Sequence, residues 1–76
     1  MTLNIKLREI NDVYKLVNIL VGFDGDVDLE SGKYKVDGKS ILGIFSLDLR
    51  QPIKVTYDSE KDAAKLRDQL KDFIVD

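Results

Sequence analysis

Seventy-six residues make a single compact unit near the smallest size that folds unaided, with room for only a modest core. With 43% hydrophobic and 34% charged residues the composition is that of a globular domain, and 12 basic against 14 acidic side chains, mixed along the chain for a net −2, leave no basic block for nucleic acid. The chain has no cysteine and no histidine, so disulfides, thiolate metal sites, iron–sulfur clusters, the usual zinc ligand and the usual general base are all excluded.

The first element is a half-buried strand over Thr2–Leu7, where Leu3, Ile5 and Leu7 alternate with Asn4 and Lys6. Helical spacing follows over Glu9–Val21, through Ile10, Val13, Tyr14, Val17, Leu20 and Val21, with Gly22 as the stop. Leu16 and Ile19 widen the apolar face, so this helix is expected to be well covered. Between Asp26 and Asp37 a hairpin is expected with Ser31–Gly32 as its loop. Glu30 then faces Lys33, Leu29 faces Tyr34, Asp28 faces Lys35 and Val27 faces Val36, with apolar pairs on one face and opposite charges on the other.

Asp37–Gly38 makes the next turn. A short apolar helix runs from Ser40 to about Leu47, and a strand carries Ile53, Val55 and Tyr57, with Pro52 at its start, where a missing N–H matters least. Ser59 with Asp62 forms a variant capping box for the last helix, whose buried stripe is Ala63, Leu66, Leu70 and Phe73, supported by Ile74. The order β-α-β-β-α-β-α predicts an α+β fold, an open two-layer sandwich with its helices on one face.

Asp24, Asp26, Asp28 and Glu30 resemble the opening of a calcium loop. Such a loop needs glycine at its sixth position and a bidentate glutamate at its twelfth, where this chain has Leu29 and Lys35. A solvated strand face paired to Lys33 and Lys35 explains the acids better, and no metal site is expected. No phosphate-binding glycine motif can be written through the five glycines, and nothing in the sequence suggests a pocket around the carboxylate pairs Asp24/Asp26 and Asp58/Glu60, which are expected to be surface charge. Neither a catalytic residue nor a cofactor is expected. No run is long enough to cross a membrane and no basic-then-apolar leader opens the chain, so a cytoplasmic protein is expected.

The segment Lys39–Leu47 differs from the rest. At 100° per residue Ile41, Leu42, Ile44 and Phe45 spread over roughly 160° of a helix, and Leu47 extends the arc further. A short helix lying on a sheet buries part of such an arc; the remainder is either covered by a neighbouring element or left as a contact surface. Ser40 stands where a helix N-cap belongs, its oxygen accepting from an N–H one turn ahead.

Gly38-Lys39-Ser40-Ile41-Leu42-Gly43-Ile44-Phe45-Ser46-Leu47 resembles the K-S-I-M-G-V-M-S-L helix of the HPr family, the phosphocarrier proteins of the bacterial phosphotransferase system. Gly22-Phe23 followed by Val27 and Leu29 is similar to the family's entry into its second strand, and the spacing from Gly22 to Ser40 matches without a gap. The resemblance covers essentially the whole chain. It implies an open-faced sandwich with a four-stranded antiparallel sheet and three helices on one face. It also implies a partner-contact surface at Ile41, Leu42 and Phe45, and a regulatory phosphorylation site at Ser40.

The departures are equally specific. The family carries its phosphoryl group on the histidine of an H-x-R-P-A motif at the start of the first helix; here the region reads Leu7-Arg8-Glu9-Ile10-Asn11-Asp12-Val13 in a shortened loop. Asp48 replaces the glycine that ends the family's second helix, and the last strand-to-helix turn is about two residues shorter. His-less relatives such as the catabolite-repression HPr of Gram-positive bacteria resemble this chain in keeping the serine.

Two functions are therefore in view. One is a non-catalytic regulatory module of the phosphotransferase system or carbon regulation, monomeric, binding proteins through the Ser40–Leu47 helix, with HPr kinase or a transcription regulator as the implied partner. The other is a structural or adaptor domain that keeps the fold and no phosphorylation role. Phosphate at Ser40 would gain from the helix dipole, with Lys39 expected to add an ion pair and Asp37 to oppose it. Neither membrane nor nucleic acid is an expected partner.

Overall fold

The computed structural model describes residues 2–58 and 63–75. The elements are β1 (Thr2–Ile5), α1 (Ile10–Val21), β2 (Val27–Ser31), β3 (Tyr34–Asp37), α2 (Ile41–Phe45), β4 (Ile53–Tyr57) and α3 (Ala63–Gln69). The strands form one antiparallel sheet in the order β1-β4-β2-β3. The expected order and fold class are both found. The Ser59 and Asp62 capping box lies outside the described residues.

Alternation builds the core from the sheet side. Leu3 and Ile5 of β1, Val27 and Leu29 of β2, and Ile53, Val55 and Tyr57 of β4 are all buried. Their intervening neighbours, such as Asn4, Asp28 and Lys54, point to the open face. Val13, Leu16 and Leu20 of α1, Ile44 of α2, and Leu66 with Leu70 at the end of α3 close the other side, each at 0% exposure. Each such leucine or isoleucine contributes about 1.5–3 kcal/mol when fully buried.

β1 is shorter than its alternation suggests. Leu7 is buried, but ladder pairing with β4 ends at Ile5, and the chain there meets its own C-terminal segment instead. Ile5 bridges Ile74, the Lys6 N–H donates to the Phe73 carbonyl at 2.8 Å, and the Val75 N–H donates to the Asn4 carbonyl at 2.8 Å. Ile74 thus leaves the α3 stripe in which it was expected and covers the outer edge of β1.

The hairpin is a correction. Its loop is Gly32–Lys33, so Ser31 pairs with Tyr34, Glu30 with Lys35, Leu29 with Val36 and Asp28 with Asp37. The register moves by a whole pleat repeat, which exchanges every partner while keeping the two faces. Backbone geometry decides between the registers: Gly32 has φ +60° and no other residue type has positive φ among the described residues. A two-residue loop of that kind requires glycine first, whereas Ser31–Gly32 would place serine there. The Lys35–Asp28 ion pair survives as a diagonal contact of 3.6 Å, and Lys33 lies in the loop.

Candidate protein-docking surface

α1 begins at an unusually self-sufficient end. Glu9 is its N-cap, in extended backbone conformation (φ −147°, ψ 165°). Asp12, three residues on, turns its carboxylate back: Oδ2 accepts from the Arg8 N–H at 2.9 Å and the Glu9 N–H at 3.2 Å. A helix start has orphan N–H groups and a partial positive charge, both of which favour an anion. Here the anion is internal, and Asp12 is buried. Arg8 lies exposed in the β1–α1 connection.

α1 is not well covered, contrary to expectation. Val13, Leu16 and Leu20 face the core, while Ile10 (66% exposed), Tyr14 (49%) and Val21 lie in solvent. The second stripe stands roughly 100° around the helix from the first. Like Ile41–Phe45, α1 carries too wide an apolar arc. Ile10, Val13, Tyr14, Leu16 and Ile19 together span more of a helix than one sheet can cover.

α2 is Ile41–Phe45, inside the expected Ser40–Leu47. Ser40 is its N-cap, and its Oγ accepts from the Gly43 N–H at 3.2 Å. Ile44 and Leu47 are buried and Ile41 is half-buried, but Leu42 is 80% and Phe45 40% exposed. The Phe45 ring meets that of Tyr14 edge-on, with centroids 6.2 Å apart and planes at 71°. Exposed apolar side chains of two helices therefore join into one patch. Tyr14 and Ile10 were not recognised as parts of it from sequence.

One turn along from Tyr14, Ile10 also lines a groove of about 470 Å³ with Leu7, Leu49, Lys6, Arg8 and Arg50. The Lys6 ammonium donates to the Arg50 carbonyl, tying the two loops that form the groove. Arg50 Nε meets Asp48 Oδ1 at 3.0 Å; side-chain and backbone hydrogen bonds from Arg50 hold the exposed Asp48 carboxyl below its usual range.

The surroundings of Ser40 differ from expectation in one respect. The Lys39 ammonium donates to the Phe23 carbonyl at 2.8 Å and is committed to the loop after α1. Asp37 Oδ1 accepts from the Lys39 N–H at 2.9 Å. The expected lysine partner for a phosphate at Ser40 is therefore already engaged. Among the described residues no cluster of acids, histidines and cysteines is able to hold a metal ion, and no helix is long and apolar enough to cross a membrane.

Sheet order, helix placement and a capped apolar second helix define an open-faced α+β sandwich of the phosphocarrier type. The family model described as "PTS HPr component phosphorylation site" matches residues 11–76, and the chain belongs to that family. Among solved structures, HPr-C-His from Thermoanaerobacter tengcongensis is 26% identical over 95% of this chain and 85% of that one, with a TM-score of 0.74. A phosphocarrier protein HPr from Bacillus anthracis str. Ames has the same fold, with a TM-score of 0.76 at 22% identity over 99% of this chain and 94% of that one. No curated protein matches the sequence. The family match begins at Asn11, one residue inside α1, so Arg8 and Glu9 precede it.

Proposed function

We propose that this HPr-family protein binds protein partners through the α1–α2 surface and does not carry phosphoryl groups, acting in the cytoplasm as a regulatory module of the phosphotransferase system or carbon regulation rather than as an enzyme. The observation that supports this most is the start of α1. The chain has no histidine, and the N–H donors of Arg8 and Glu9 are held by the Asp12 carboxylate. A phosphoryl group arriving there meets no imidazole nucleophile and an anion already in place. Beside it, Ile10, Tyr14, Leu42 and Phe45 stand exposed, the kind of apolar surface that marks contact sites.

Ser40 is the proposed switch. Its oxygen accepts a hydrogen bond and keeps its own proton, so the hydroxyl remains free to be esterified. Phosphate there would add negative charge next to Ile41 and Leu42, weakening an apolar contact and favouring an arginine-bearing one. The second reading, an adaptor with no phosphorylation role, rests on the same bond, because a serine that caps α2 already has a structural task.

Titration of enzyme I and of HPr kinase with the wild type and with Leu42→Asp tests the docking surface. Leu42 is largely in solvent, so the variant is expected to keep its fold and to bind at least about tenfold more weakly. Unchanged affinity toward a probe that binds the wild type would place docking elsewhere.

A further inference from the structure

The two edges of the sheet are treated differently. Residues 73–75 cover β1, whereas β3 has β2 on one side and, among the described residues, no strand on the other. The Gly38 N–H donates to the Val27 carbonyl at 2.8 Å, which makes Val27–Gly38 a hydrogen-bonded pair of the β2–β3 ladder. Alternation from there makes Leu29–Val36 and Ser31–Tyr34 hydrogen-bonded pairs too, and leaves Glu30–Lys35 and Asp28–Asp37 as the non-bonded ones. The backbone groups of Lys35 and Asp37 consequently point away from β2, to the open edge. The Asp37 carbonyl already accepts from the Ser40 N–H at 3.1 Å, using one lone pair.

We propose that β3 pairs antiparallel with β3 of a second copy, about Val36, joining two sheets into one of eight strands. The charges select both occupant and register. An added strand must place its own outward-facing residues opposite Lys35 and Asp37, so a second copy can centre on Lys35, on Val36 or on Asp37. Centring on Lys35 sets lysine against lysine, and centring on Asp37 sets aspartate against aspartate. Centring on Val36 sets Lys35 against Asp37 twice, in the positions that exchange both N–H and C=O.

The single chain also leaves a repulsion that this register relieves. Asp37 sits directly opposite Asp28, while Lys35 reaches diagonally to Asp28 at 3.6 Å. A second copy sets its Lys35 on the other side of Asp37. On the helix-facing side, the same register sets the half-buried Val36 against its twin. It also sets Tyr34, 67% exposed at this edge, against Gly38, a cross-strand aromatic–glycine match. Four residues a side make a small contact, so the association is weak and salt-sensitive.

Sedimentation velocity on the wild type and on three further samples at matched high concentration tests this: Lys35→Asp alone, Asp37→Lys alone, and the two mixed. The first carries two acids on its edge and the second two lysines, so each alone is expected to self-associate at least about tenfold more weakly than the wild type. Mixed, they place opposite charges at both positions and are expected to form a heterodimer, with slowed amide exchange at residues 35 and 37. Circular dichroism on each variant checks that the fold persists. A wild type that stays monomeric at millimolar concentration overturns the proposal. So does a dimer that both variants form as well as the wild type, or a mixture no more associated than its components.

Discussion

Asp12 Oδ2 accepts from two backbone N–H groups while the side chain itself is buried, so Asp12→Ala orphans two donors at once. The expected loss is about 1–3 kcal/mol, and Asp12→Asn, which keeps an acceptor, should lose less. Urea denaturation of both variants checks this; an alanine variant as stable as the wild type would remove Asp12 from its capping role. Ser40 has a simpler part as the cap of α2, and Ser40→Ala should cost about 1 kcal/mol in the same measurement, against a few tenths for Ser40→Gly. The edge-on rings of Tyr14 and Phe45 are expected to couple by about 0.5–1.5 kcal/mol in a double-mutant cycle to alanine. Phe45→Ala alone should weaken partner binding by about 2 kcal/mol and leave the fold in place. A stability loss of about 3–5 kcal/mol would instead mark Phe45 as core.

At the scale of elements, the hairpin shows what periodicity carries and what it lacks. Alternation placed Val27, Leu29 and Val36 on the helix side and Asp28, Glu30 and Lys35 on the open side, and the structure agrees. It left the pairing undetermined, because a shift by a whole pleat repeat leaves both faces intact. The discriminating information lay in the turn, where only glycine accepts φ +60° without strain. Gly32→Ala is expected to cost about 1–2 kcal/mol for that reason alone, since no atom lies within 4 Å of an added Cβ. A thermal melt with no shift would show that the loop relaxes into another turn.

α2 was legible as an incompletely buried helix because its apolar arc is too wide for one sheet. α1 carries the same signal, but helical spacing alone does not separate exposed Ile10 and Tyr14, half of the patch, from the core-facing Val13, Leu16 and Leu20. The capping carboxylate of Asp12 follows an extended Glu9, and its sequence trace is only an acid at the third helical position. The bond from Lys39 to the Phe23 carbonyl joins residues sixteen apart and has no local trace.

Over the whole molecule, strand direction sorts the charges. The loops that follow β1, join β2 to β3 and precede β4 lie at one end and bring Lys6, Arg8, Lys33 and Arg50 there beside only two acids of their own, Glu9 and the Arg50-paired Asp48. The opposite end carries Asp24, Asp26, Asp37 and Asp58, with Lys39 among them. The start of α1 and the groove beside Ile10 open at the basic end. Association with an anionic partner surface is expected to slow as salt rises, while a partner read only by the apolar patch would show little dependence.

That basic end also holds the start of α1, the place where the HPr family carries its phosphoryl group. Intact mass after incubation with phosphoenolpyruvate and enzyme I, beside a second sample with ATP and HPr kinase, separates binding from carrying most directly. The expected result is an unchanged mass in the first sample and one phosphate in the second, absent from Ser40→Ala. Stoichiometric acid-labile phosphate taken from phosphoenolpyruvate would contradict it.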